Sequence, residues 1–204
     1  MSIVVEHDKR KNEILEKALD VFIDVGYEDV TFQKIADRCD ITRTTLYIYF
    51  KNKREIFNYS IKHFFQTLED DINRVRGEQG LSHLDQLIRV MTVIIDRLEE
   101  NHQLLSVVLN YLFYASKSDN DPDYRFRRRT VRLRHILNAV LIEGIRAGEF
   151  VPVNVKEANE ALYGILEAAV FQLTILHHSK VEELKKAMIM TLRQLVNTGA
   201  KTTP

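Results

Sequence analysis

The sequence predicts an all-α protein: a compact N-terminal three-helix unit, a long fourth helix, and a larger C-terminal helical bundle. Three observations point there. Only seven glycines and three prolines occur in 204 residues, so long stretches run without a helix breaker. Apolar residues recur at the 3.6-residue period of an amphipathic helix along most of the chain. At this length, a hydrophobic content of 45% is enough to bury a substantial core.

The first helix is predicted from Asp8 to Val25, where Ile14, Leu15, Ala18, Leu19, Phe22 and Val25 form one apolar stripe, and Gly26 supplies its C-cap. Thr31 offers a hydroxyl N-cap to a short second helix with Phe32, Ile35, Ala36 and Cys39 on its inner face. Asp40 and Ile41 make a tight turn. Thr42 caps again, and Leu46 and Phe50 mark the inner face of a third short helix. After Lys51 and Asn52 the long fourth helix carries Ile56, Phe57, Ile61, Phe64, Phe65 and Leu68. The stretch Arg76-Gly77-Glu78-Gln79-Gly80 is the clearest loop. Beyond it, helices are predicted near 81–99, 102–116, 122–147, 155–177 and 180–198. Their separators are Asn101, the polar run 116–121 with Pro122 at a helix start, Gly148 to Asn154 around Pro152, and Ser179. The predicted domains are 1–52 and 53–204.

Composition removes several classes of function. The 29 basic and 29 acidic residues balance, which argues against a protein that coats nucleic acid indiscriminately but allows a local basic face. No apolar run approaches the ~20 residues that span a bilayer, so no membrane partner is expected. The start MSIVVEHDKRKNE is charged almost at once, which predicts no secretory leader. The single cysteine, Cys39, cannot make an internal disulfide, so a cytoplasmic location is expected, with Cys39 as buried packing. The seven histidines lack the i, i+4 spacing with an intervening carboxylate that marks a metal site. There is no glycine-rich phosphate loop, nucleophile elbow or convergent carboxylate pair. No catalytic residue, metal or cofactor is therefore predicted, and the chain is not expected to be an enzyme.

The stretch from Thr31 to Phe50 is a short helix, a three-residue turn and a second short helix, the arrangement of a DNA-reading helix-turn-helix. Asp40 stands where such turns require φ > 0, a conformation aspartate tolerates better than most residues. Arg43, Thr44 and Thr45 lie at the start of the second helix, where base edges are met. Arginine can grip guanine O6 and N7 with two hydrogen bonds, and threonine presents a hydroxyl and a methyl to thymine. The phenols of Tyr47 and Tyr49, the hydroxyl of Thr31 and the ammonium of Lys53 suit phosphate oxygens, which fix register without carrying sequence information. Residues 40–54 hold four basic side chains against the single acid Asp40, although residues 1–55 as a whole hold ten against eleven. The alternative is an ordinary solvated helix surface.

The run ILEKALDVFIDVGYEDVTFQKIADRCDITRTTLYIYFKNKREIF, residues 14–57, resembles the N-terminal domain of the TetR family of bacterial transcriptional regulators. The matching positions are Ile14-Leu15, Ala18, Phe22, Gly26-Tyr27, Thr31, Ile35-Ala36, Leu46-Tyr47, Phe50 and Lys53. The family pattern prefers glycine where Asp40 stands, and often where Thr44 stands. The resemblance implies base contacts from Gln33, Arg43, Thr44, Thr45 and Ile48, and phosphate contacts from Thr31, Tyr47, Tyr49 and Lys53. Gln33 and Ile48 are supplied by the resemblance alone. It also implies a regulatory bundle with an inducer pocket and a dimer interface.

A homodimer is expected independently, because one helix-turn-helix reads too few base pairs and two-fold dimers on palindromes are the common solution. Ala158, Ala161, Gly164 and Ala168 form a strip of small side chains. With Ile165, Phe171, and Leu184, Met188, Leu192 and Leu195 of the last helix, this strip is the predicted interface, the alternative being monomer core. Phe64, Phe65, Met91, Tyr111, Phe113, Tyr114, Tyr124 and Phe126 are candidate walls of a pocket for a small, largely apolar organic ligand, or else plain core. Arg125, Arg127, Arg128, Arg129, Arg132 and Arg134 form the densest basic run, read as a solvated face paired with acids such as Glu99 and Glu100, or as an anion contact. The function these features predict is a dimeric, ligand-responsive repressor on double-stranded operator DNA. The alternative is an architectural or division-associated DNA-binding protein without a small-molecule effector.

Overall fold

The computed structural model describes residues 2–115 and 123–196, with side chains described over 6–113 and 128–196. The described residues form nine α-helices: α1 (Ser2–Asp29), α2 (Phe32–Arg38), α3 (Arg43–Tyr49), α4 (Lys53–Gly77), α5 (His83–Glu100), α6 (His102–Ala115), α7 (Asp123–Arg146), α8 (Val155–Thr174) and α9 (Glu182–Arg193). Among these residues the only sheet-like pairing is an antiparallel bridge between Phe150 and Val196. The all-α architecture is the one the breaker-poor, 3.6-periodic sequence predicts. The largest difference in bounds lies at the start, where α1 begins at Ser2, not near Asp8.

Two compact units divide the chain, one of residues 1–66 and 103–121, the other of 67–102 and 122–204. In the first, α1, α2, α3, the leading half of α4 and most of α6 surround a core of Ile14, Ala18, Phe22, Ile35, Ala36, Leu46, Phe50, Ile56 and Phe57, each 1% exposed or less. The apolar stripe of the first helix and the inner faces of the next two are the faces the periodicity assigned. An aromatic cluster closes this core. Tyr27 lies 5.0 Å from Phe57 and 4.4 Å from Tyr111 of α6, and Phe22 lies 5.0 Å from Phe57.

Gly26 sits at φ 76, ψ 162 and breaks α1, so that Tyr27, Glu28 and Asp29 turn away from the helix axis. A non-glycine residue is strongly disfavoured there. A Cβ at Gly26 would meet nothing within 4 Å, so the requirement is purely conformational.

In the second unit α5 is central, packing against α7, α8 and α9. Its inner face, Leu87, Val90, Met91, Ile94, Ile95 and Leu98, is fully apolar and buried. Charged groups fix the surrounding helices. Asp71, 8% exposed, takes Arg97 at 2.6 Å, and Lys185 reaches Asp96 at 2.7 Å and Glu99 at 2.8 Å. Glu149 accepts from the backbone N–H groups of His83 (2.8 Å) and Leu84 (3.0 Å), capping α5 from the far end of α7. Phe150 packs its ring on Gly144, where a Cβ would approach to 2.3 Å.

Two outcomes follow. Gly26→Ala lowers stability by roughly 1–3 kcal/mol through backbone strain alone, read as a lower thermal midpoint by circular dichroism. Burial raises the Glu149 carboxyl pKa, but the N–H groups of Leu84 and His83 more than offset it, and the folded value lies below the ordinary one. Such a group stabilises the fold above its unfolded pKa, about 4.3, and the contribution is lost as pH falls through the depressed folded value. Glu149→Gln therefore lowers the midpoint at pH 7, and its deficit against the parent chain shrinks as the pH is taken down to about 4 and below.

Candidate nucleic-acid interface

Two hydroxyl caps and one left-handed residue set the geometry of α2 and α3. Thr31 accepts from the N–H of Lys34 at 3.2 Å, and Thr42 accepts from the N–H of Thr45 at 3.0 Å. Each cap leaves an O–H that can still donate. Between the helices Asp40 takes φ 54, with its N–H donating to Asp37 at 3.2 Å and the N–H of Ile41 to Ala36 at 3.1 Å. The turn thus adopts the conformation its position predicted. Leu46 and Phe50, 0% and 1% exposed, anchor α3 to the core.

The opposite edge of α3 faces solvent. Arg43 and Thr44 are exposed, Tyr47 is 49% exposed and Ile48 is 70% exposed. On this helix of seven residues, Ile48 keeps most of its side chain in water. The Arg43 guanidinium donates to the Tyr47 hydroxyl at 3.1 Å, so the base-reading candidate is folded back along its own helix. Thr45 is half-buried and its hydroxyl lies 2.8 Å from that of Thr42, which ties it to the cap. Gln33 is exposed on α2 and donates to Asp37 at 2.7 Å. Tyr49 is half-buried and stacks on His7 of α1 at 4.8 Å between ring centroids. Arg38 pairs with Asp24 and lies 3.8 Å from Asp20, which neutralises acids of α1 close to the site.

Lys53 is employed differently from its predicted role. Its ammonium donates to three backbone carbonyls, those of Tyr27 (2.9 Å), Glu28 (2.7 Å) and Val30 (2.9 Å). All three N–H donors of a lysine are thereby used within the chain. Burial lowers its pKa from the ordinary lysine value, against the opposing charges of Asp29 and Glu28. Spacing placed Lys53 beside phosphate. The carbonyls freed by the Gly26 break are what it serves here.

Other predicted residues scatter. Tyr111 is 6% exposed and belongs to the aromatic core with Tyr27 and Phe57. Phe64 and Phe65 are half-buried and in edge contact, Met91 is buried in the core of the second unit, and Phe113 is 68% exposed. Tyr114, Tyr124 and Phe126, like Arg125 and Arg127, lie outside the described side chains. Arg132 pairs with Glu69 at 3.1 Å. Arg134 pairs with Glu160 at 2.5 Å and lies 3.8 Å from the Tyr163 ring centroid. Glu99 and Glu100 serve Lys185 and Arg97, not this run. Cys39 is 2% exposed, and burial pushes its thiol pKa up. Among the described residues no group of three or more His, Cys, Asp or Glu is placed to hold a metal, and no helix is long and apolar enough to cross a membrane.

On α8, Ala161, Gly164 and Phe171 are exposed, while Ile165 and Ala168 are half-buried. On α9 the predicted stripe divides. Met188 and Leu192 are each 1% exposed in the single chain, so they are core and not surface. Leu184 and Leu195 are half-buried. The exposed apolar groups are instead Ile175 (57%), Leu176 (51%) and Met190 (66%), together with Phe171 (53%). Helical phase alone could not tell the two faces of α9 apart, because both carry apolar side chains.

Residues 14–59 match the family model described as bacterial regulatory proteins, tetR family. The fatty acid metabolism regulator protein of Bacillus subtilis (strain 168) is 25% identical over 163 residues, 78% of this chain and 80% of its own. The negative transcriptional regulator IcaR of the biofilm operon icaADBC in Staphylococcus aureus (strain Newman) is 28% identical over 100 residues, 49% of this chain and 53% of its own. The fold is shared with a TetR transcription regulator from Haloarcula marismortui ATCC 43049, at a TM-score of 0.77 and 21% identity over 93% of this chain and 97% of that one.

Replacing Lys53 by methionine keeps the aliphatic stem but strips the charged donor from three carbonyls. The expected result is a loss of about 1–3 kcal/mol in urea unfolding.

Proposed function

Because the chain is a TetR-family transcriptional regulator, whose helix-turn-helix lies within residues 14–59, we propose that it acts as a homodimeric repressor on a palindromic operator and is released by a small organic ligand. The observation that carries this reading is the solvent-facing edge of α3: Arg43, Thr44, Tyr47 and Ile48 lie exposed on a helix whose other side is locked into the core by Leu46 and Phe50. A guanidinium, a hydroxyl with its methyl, and a bare aliphatic group form a set suited to guanine and thymine in a major groove. The exposed O–H of Thr31 and the phenol of Tyr47 are suited to the flanking phosphates.

The exposed apolar strip of Phe171, Ile175, Leu176 and Met190, beside the small residues Ala161 and Gly164, supports pairing with a second copy. Two copies would present two α3 helices, and operator affinity then depends on their separation matching the groove repeat of ~34–36 Å. A ligand that binds the mismatched spacing ~100-fold better shifts the equilibrium by roughly 2.7 kcal/mol, enough to release a marginal operator. Two features support the repressor assignment and the ligand class. IcaR is named a negative regulator, and the Bacillus subtilis relative is named for fatty acid metabolism, which favours a ligand bearing an acyl chain. Tyr111 supplies a route for coupling, since α6 enters the aromatic cluster that holds Tyr27 and the end of α1.

The test is retention of the DNA upstream of the chain's own gene. The purified protein shifts that duplex in a sequence-dependent manner at moderate salt, and Arg43→Ala relaxes base preference at one position per half-site by about 1–3 kcal/mol. Equal affinity for scrambled duplexes would overturn the reading. In sedimentation, Phe171→Arg gives a folded monomer with weakened operator binding.

A further inference from the structure

Between Glu6 and Glu13, about two turns of α1, no side chain is buried. One face of this segment lies against the C-terminal end of α3. Stepping back from Ile14 by three, four and seven residues gives Lys11, Arg10 and His7, which at about 100° per residue continue the stripe that faces the core. The His7 ring stacks on Tyr49 with planes 26° apart. The Lys11 ammonium lies 4.1 Å from the Tyr59 ring centroid and 5.3 Å from that of Phe50. Arg10 bonds Glu13 at 2.8 Å, which raises its pKa above the ordinary arginine value. Glu6 and Asp8 fall outside this arc.

We infer that the leading turns of α1 form a second phosphate-binding flank, which grips the sugar–phosphate backbone of the operator beside the groove entered by α3. The inference rests on α3 being the reading helix. Two observations carry it. The segment sets His7, Arg10 and Lys11 on one face and stacks His7 on Tyr49, a phenol at the end of the reading helix. Its cations are held by partners that phosphate can replace: an aromatic face for Lys11, and for Arg10 a carboxylate in a pair where both side chains are 42% exposed. An acidic protein surface fits less well, because the cations stand beside His7, which stacks on the last residue of the reading helix.

The experiment uses the full chain and fluorescence anisotropy, with a labelled operator duplex and a scrambled duplex of equal length, over a series of potassium chloride concentrations at fixed pH. Arg10→Gln and Lys11→Gln each make the slope of log affinity against log salt shallower by about 0.9, and each lowers affinity roughly 3–10-fold near physiological salt on both duplexes. The rank order of operator base variants is unchanged, and Lys11→Arg keeps the parental slope. Unchanged slopes in the glutamine variants overturn the inference, and so does a loss of affinity at constant slope, which would assign these residues to packing around Tyr49. Absence of any sequence preference in the parent chain sinks the reading helix instead, while the slopes on scrambled duplex still decide the flank.

Discussion

The helix-turn-helix of this protein is fastened at its base by one ammonium group. Lys53 opens α4 and donates to the carbonyls of Tyr27, Glu28 and Val30, the backbone released where Gly26 ends the regular part of α1. Those three hydrogen bonds, beside the ring contact of Tyr27 with Phe57, join the end of the first helix to the start of the fourth. The chain between them, α2, the Asp40 turn and α3, is held at both ends and pinned in the middle by Ile35, Leu46 and Phe50. A seven-residue helix such as α3 has little stability of its own in water. Its direction, and hence the direction of Arg43 and Thr44, is imposed from outside by these anchors.

The two units are stabilised by different means. The first relies on hydroxyl caps, an aromatic cluster and the lysine clamp, and leaves Arg43, Thr44, Tyr47 and Ile48 exposed on a short helix. The second relies on an apolar α5 ringed by charge pairs: Asp71 with Arg97, Lys185 with Asp96 and Glu99, and Glu149 at the N-terminus of α5. Removing one partner from a partly buried pair of this kind costs more than the pair contributes net, because the other charge is left uncompensated.

Much of this was legible in residue order. The breakers Gly26, Gly80 and Gly148 and the hydroxyl caps Thr31 and Thr42 fall where spacing put them, and all three glycines take positive φ. Asp40 at φ 54 follows from the geometry of a tight turn between helices. What spacing could not supply was the choice among partners. Lys53 was expected at phosphate because helix N-termini attract anions, and nothing in the local sequence shows that the carbonyls of residues 27, 28 and 30 return to it. Tyr111 was grouped with ligand walls because aromatic residues at helical spacing look alike, whether they line a cavity or fill a core. His7, Arg10 and Lys11 were overlooked although their signal was present: the apolar phase of the first helix, continued backwards into charged residues.

The burial of Met188 and Leu192 inside a single copy bears on how such a regulator responds to its own abundance. A single copy already keeps these two side chains out of water, so the proposed dimer would separate into two folded chains. Its association would then be a reversible equilibrium governed by cellular copy number. Promoter occupancy would climb with the square of protein level at low expression, giving a sharp threshold instead of a graded dial.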